Sequence, residues 1–123
     1  MLKERFDSFK YAFQGIISLF KSEPNARIHL IFTLVSLFAA WFFQISITEW
    51  CLVILCIALV FSAEAFNTSI EALTDLVSPE HHPLAGKTKD VAAAAVLILA
   101  IGAAAVGLII FLPKMYAYFV GSF

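Results

Sequence analysis

The run VAAAAVLILAIGAAAVGLIIFL, Val91 to Leu112, carries no charged side chain over 22 residues. At 1.5 Å per residue, a helix of that length crosses a hydrocarbon core of about 30 Å. The rest of the chain agrees with a place in lipid: 62% of its 123 residues are apolar, and its mean hydropathy is +0.93. Both lie far above a soluble domain. The expected fold class is all-α and integral membrane, in a single domain, 1–123. A formal charge of -1 leaves no basic surface for nucleic acid, so that partner is excluded.

Two further spans and one surface helix are expected. Leu2, Phe6, Phe9, Phe13, Ile16, Ile17 and Phe20 recur at helical spacing among Lys3, Arg5, Asp7, Lys10, Gln14 and Lys21. That pattern predicts an amphipathic helix over 1–22 lying in the membrane surface. It has neither the continuous apolar core nor the small-residue cleavage site of a signal peptide, so no removal is expected. SEPNARIH breaks the pattern, with Ser22 as a candidate N-cap and Pro24 suited to a first helical turn. A span over 26–45 follows, with Trp41 as an interface anchor. A short turn at QISITE leads to a second membrane helix over 49–77. SPEHHPLAGKTKD then reads as a polar loop, and the third membrane helix runs over 90–112. Lys3, Arg5, Lys10, Lys21 and Arg27 precede the first span, and Lys87 and Lys89 lie in the second loop. This bias predicts that the N-terminus and the second loop face the cytoplasm.

The second membrane helix ends unusually, in AEAFNTSIEALTDLV, with three carboxylates. On a helical wheel started at Glu64, Glu71 falls at about -20°, Asp75 at about +20°, Thr68 at about +40° and Asn67 at about -60°. Ala65, Phe66, Ile70, Leu73, Leu76 and Val77 fill the opposite face. Glu64 lies roughly 20 Å along the helix from Trp50, near the inner boundary of the hydrocarbon, while Glu71 and Asp75 reach the headgroups. One polar stripe therefore crosses from oil to water. An ionisable side chain at the depth of Glu64 is costly, and such groups are functional or paired. The structural alternative is an ion-paired stripe neutralised by Arg27, Lys87 or Lys89.

Glu23 belongs to the same level. Two hard carboxylates, Glu23 and Glu71, with Asn67 nearby, suit a Mg²⁺ ion that keeps several waters and bridges phosphate oxygens. Lys89 and Asp90 add a phosphate-pairing cation and another acid. Positioning, metal and a base are the requirements of phosphoryl transfer. The GKT at Gly86 to Thr88 is not a P-loop: the leading glycine would fall at His81, and no strand precedes it. Gly86 is expected instead to let the loop backbone turn or approach a phosphate. Adjacent histidines, His81 and His82, with no cysteine close by, argue against structural zinc. Cys51 and Cys56 lie about 140° apart on a helix and cannot pair within it. Alanines and glycines of the third span suit close helix packing and a homo-oligomer.

Glu64, Asn67, Thr68, Glu71 and Asp75 form ExxNTxxExxxD. Together with FKYAFQG, SEPNARIH, SPEHHPLAGKTKD, AAAAV and FLPK, it resembles the prokaryotic diacylglycerol kinase and undecaprenol kinase family over nearly the whole chain. The resemblance implies a homotrimeric helical bundle of three-span subunits, with active sites shared between neighbours in the bacterial cytoplasmic membrane. It implies phosphorylation of a membrane lipid alcohol by ATP with Mg²⁺. Glu64 would be the general base, with Glu23 and Glu71 holding the metal and nucleotide. Asn67, Lys89 and Asp90 would complete the site, and His81, His82 and Pro83 would approach the nucleotide. Tyr11 and Arg5 would be further nucleotide contacts, although Glu4 and Asp7 disturb the register around Arg5. NARIH favours the undecaprenol branch. The rival from another class is a small oligomeric proton or cation transporter using Glu64 and Glu71, which accounts for buried acids but not for their confinement to one side.

Overall fold

The computed structural model describes residues 1–121, which form four helices: α1 (Leu2–Ser22), α2 (Pro24–Phe42), α3 (Ile47–Val77) and α4 (Pro83–Val120). The last three are long and apolar enough to cross a membrane. At 1.5 Å per residue they extend about 28, 46 and 57 Å, so α3 and α4 outrun a core of about 30 Å. Among the described residues there is no strand. The chain is an all-helical membrane protein in which α3 and α4 make the most extensive pairing.

Each junction has a local cause. Glu23, in extended conformation, ends α1 and begins α2, its N–H donating to Leu19 O at 3.0 Å. Ser22 is therefore the last residue of α1 rather than the expected cap of α2, and its Oγ donates back to Ser18 O. Arg27 folds over this corner, donating to Phe20 O at 2.9 Å and Lys21 O at 2.7 Å. It satisfies carbonyls that a helix end leaves open. The ring of Phe20 packs on Phe61, 5.4 Å between centroids, which ties α1 to α3.

Between α2 and α3 the chain reverses in four residues. Gln44 has φ 48°, Gln44 N–H donates to Trp41 O, and Ile45 N–H donates to Ala40 O. These bonds form a Schellman closure with glutamine where glycine is usual. Ser46 and Glu49 then exchange side-chain and backbone hydrogen bonds in a capping box that starts α3. Ala40, Ile45, Val53 and Ile110 are buried beside this turn, with Phe43, Trp50 and Phe111 packed on them.

Two expected boundaries move. The polar loop is only 78–82, because Pro83 occupies the first turn of α4 and His82 Nδ1 accepts the N–H of Leu84 at 3.1 Å. Proline's fixed φ is preorganised for that position. Gly86, Lys87, Thr88, Lys89 and Asp90 are thus helical, and Gly86 serves as a helix residue rather than a loop hinge: its φ is not positive. At the other end α4 continues past 112 through Pro113 to Val120. The helix thus outruns the expected span of 90–112, since proline is tolerated within membrane helices whose freed backbone groups are met by neighbours.

Candidate active site

The last turns of α3 meet the start of α2 and the start of α4 at one end of the bundle. Glu64 is the largest fully enclosed side chain there, 1% exposed, and Asn67, one turn on, is 8% exposed. Asn67 Nδ2 donates to Glu71 Oε1 at 3.3 Å, which joins two residues of the stripe expected on the wheel. Glu23, from the α1–α2 corner, and Glu71 both lie within electrostatic reach of Glu64. Lys89 pairs directly with Asp75 across the α3–α4 hairpin, and Glu71 also acts on it. Asp75 is therefore not purely solvated, and it holds Lys89 at the level of the other acids.

Three buried oxygens in this stretch accept no hydrogen bond: Glu64 Oε1, Asn67 Oδ1 and Thr68 Oγ1. Buried polar atoms are ordinarily satisfied, and each exception calls for a cause. Three within two turns of a single helix mark a surface prepared for a ligand or for a neighbouring chain.

His29, on α2, was not among the residues singled out from the sequence. Its Nε2 stands 3.1 Å from Glu64 Oε1, an ion-pair distance when the imidazole is protonated. That contact lacks hydrogen-bond alignment, which is why Oε1 still counts as unsatisfied. The neutralising partners expected from the sequence do other work: Arg27 caps α1 and Lys89 holds Asp75. A signal for His29 was present. His29, Thr33 and Ser36 fall at i, i+4 and i+7, one polar line on an otherwise apolar helix. All three line a cavity of about 310 Å³ bounded on α3 and α4 by residues such as Val53, Val60, Ala103 and Gly107.

The remaining expected residues are less closely gathered. His81, His82 and Pro83 are exposed around the short loop, and His82 is engaged as the cap of α4. Asp90 is exposed one residue beyond Lys89. Arg5 lines a shallow groove on α1 with Met1, Glu4 and Ser8, and Tyr11 is exposed on the same helix. Among the described residues neither makes an ion pair or side-chain hydrogen bond to Glu64, Asn67 or Glu71. No three of the described His, Cys, Asp and Glu side chains come together as a metal site. The donor set at this end suits a hard ion only if phosphate and water complete its shell, since Glu23 and Glu71 supply two carboxylates.

The opposite end also holds a charged pair that the sequence reading left out. Lys114 Nζ donates to Glu49 Oε2 at 2.7 Å. These two charges answer each other and have no part in the acid cluster.

Comparison with known proteins bears directly on this geometry. The profile of the prokaryotic diacylglycerol kinases matches residues 10–111. Undecaprenol kinase of Bacillus subtilis is 40% identical over 114 residues, covering 93% of this chain and 93% of that protein. Diacylglycerol kinase of Synechocystis is 35% identical, over 92% of this chain and 65% of its own length. Diacylglycerol kinase of Haemophilus influenzae is 32% identical, over 79% of this chain and 82% of its own.

Proposed function

The chain belongs to the prokaryotic diacylglycerol kinase family and is a lipid kinase; from that premise we propose that it moves the γ-phosphoryl group of ATP to the hydroxyl of a membrane lipid alcohol, undecaprenol in preference to diacylglycerol. The observation that carries this reading is the enclosed Glu64, 1% exposed, at the head of one stripe with Asn67 and Glu71. The lean to undecaprenol is supported by the 40% identity to the Bacillus subtilis enzyme.

Glu64 is the general base. It takes the proton as the alcohol O–H bond breaks, the alcohol oxygen forms its bond to the γ-phosphorus, and the bond from that phosphorus to the β–γ bridging oxygen breaks. ADP leaves. A carboxylate fits the task because it sits where a lipid hydroxyl can arrive without leaving the bilayer. Glu23 and Glu71 would hold Mg²⁺, which when bound supplies positive charge to the β- and γ-phosphate oxygens. Asn67 orients Glu71 through its amide, and its buried Oδ1 is left without a partner. Lys89, steadied by Asp75, offers a cation to the phosphates, and Asp90, His81, His82 and Pro83 border the nucleotide. Arg5 and Tyr11, on α1, are further nucleotide contacts in this reading.

A homotrimer in the bacterial cytoplasmic membrane completes the proposal. It is supported by the wide apolar surface of one chain, including Phe32, Ile98, Leu108 and Ile109, and by the small residues along α4. The cationic residues before α2 and at the start of α4 support a cytoplasmic acid-bearing end.

Protein in micelles with labelled ATP, Mg²⁺, and undecaprenol and diacylglycerol in competition tests the reading. Labelled undecaprenyl phosphate in excess of labelled phosphatidic acid is expected. Transfer to neither lipid contradicts the assignment of substrate.

A further inference from the structure

Glu64 has one side chain at ion-pair distance among the described residues, and it is neither lysine nor arginine. His29 Nε2 lies 3.1 Å from Glu64 Oε1, and its side chain is 23% exposed against 1% for the glutamate. The imidazole also lines a cavity together with Thr33 and Ser36. The far wall of that cavity carries Ala100, Ala103, Ala104 and Gly107, small residues that leave room for an apolar chain.

We propose that His29 is a positioning residue for Glu64: its Nε2, 3.1 Å from Oε1 and not yet aligned with it in the free chain, aligns with that oxygen when substrate binds, as catalytic hydrogen bonds commonly tighten in the complex, and leaves the other carboxylate oxygen for a hydroxyl whose apolar chain lies in the cavity between α2, α3 and α4. This rests on the lipid-kinase reading and adds to it a residue on α2. A carboxylate has two chemically equivalent oxygens and a freely turning terminal bond, so a base with neither oxygen held meets its substrate in many orientations. A group that restrains one oxygen removes most of them, and orientation is worth as much as the proton transfer itself. The imidazole is suited to the task where an ammonium is not. It is flat, reaches Glu64 from the second turn of α2, and carries no obligatory charge into the hydrocarbon.

The test uses the full-length chain in micelles with MgATP and a polyprenol acceptor. His29→Gln keeps a side-chain N–H near the place of Nε2, whereas His29→Leu fills similar volume without one. His29→Leu is expected to lower kcat by about 10- to 100-fold with KM for MgATP unchanged, and His29→Gln to recover to within about threefold of wild type. Thermal unfolding of both variants reads folding separately. If His29→Leu does not fold, His29→Asn, too short to reach Glu64, takes its place with the same expected loss. Equal kcat losses in the Gln variant and the variant lacking the contact, an unchanged kcat in the latter, or a loss confined to KM for MgATP overturns the proposal. Failure of the wild-type chain to phosphorylate any lipid alcohol is a different result: it overturns the kinase reading, and this one with it.

Discussion

The two ends of the helical bundle solve opposite problems. At the α2–α3 turn every device is complete: a Schellman closure at Gln44, a capping box at Ser46 and Glu49, an apolar cluster around Ile45, Val53 and Ile110, and the mutually paired Glu49 and Lys114. At the α3–α4 end, Glu64, Asn67 and Thr68 each bury an oxygen with no hydrogen bond. One end closes on itself and specifies the hairpin. The other leaves buried polar atoms open, which lowers the stability of the isolated chain and marks where a ligand or a neighbouring chain belongs.

The largest expected effect falls on the open end. Glu64→Gln keeps shape and removes the base, so turnover should fall by about 10²- to 10⁴-fold while nucleotide affinity, read by equilibrium binding, survives. Retained turnover would place the base elsewhere. Glu71→Gln touches the same stripe one level outward and should act on binding instead, raising KM for MgATP by about tenfold or more. Equal effects of both substitutions on binding and on turnover would erase the division of roles between oil and water.

Substitutions at the closed end should alter stability and leave chemistry alone. Ile110, 4% exposed in the apolar cluster, should cost about 2–4 kcal/mol when replaced by alanine, with unchanged turnover per folded molecule. The smallest effect is a gain. Gln44→Gly relieves a residue held at φ 48°, and should stabilise the protein by about 1 kcal/mol, visible as a raised thermal midpoint at constant kcat. A fall in turnover with either change would mean that the two ends are coupled.

The same contrast separates what can be read from the sequence from what cannot. The three spans, the amphipathic α1 and the carboxylate stripe follow from composition and helical period, because they are properties of single helices. Within the stripe, Asn67 and Glu71 are hydrogen-bonded one turn apart. Pairings between helices are not periodic and stay hidden: Glu49 with Lys114 spans 65 residues, and His29 with Glu64 joins two helices whose register no local rule sets. Cap positions fail for another reason. Ser22 has the chemistry of an N-cap, but the corner is made by Glu23 and braced by Arg27, a tertiary choice between similar local options. Pro83 and Pro113 show how context changes a residue's meaning: the first starts a helix within a stretch read as loop, and the second lies inside a helix whose expected span stopped at 112.

Because the central claim is that nucleotide occupies the open end and not the closed one, locating bound nucleotide tests it most directly. Mn²⁺·ATP is a paramagnetic stand-in for MgATP, and methyl-labelled protein in micelles reports its position through line broadening. Broadening of Thr68, Ile70 and Ala92 with sharp signals from Ile45, Val53 and Ile110 is the predicted result. Broadening centred on Ile45 and Ile110, or none at Thr68 under saturating Mn²⁺·ATP, would contradict it.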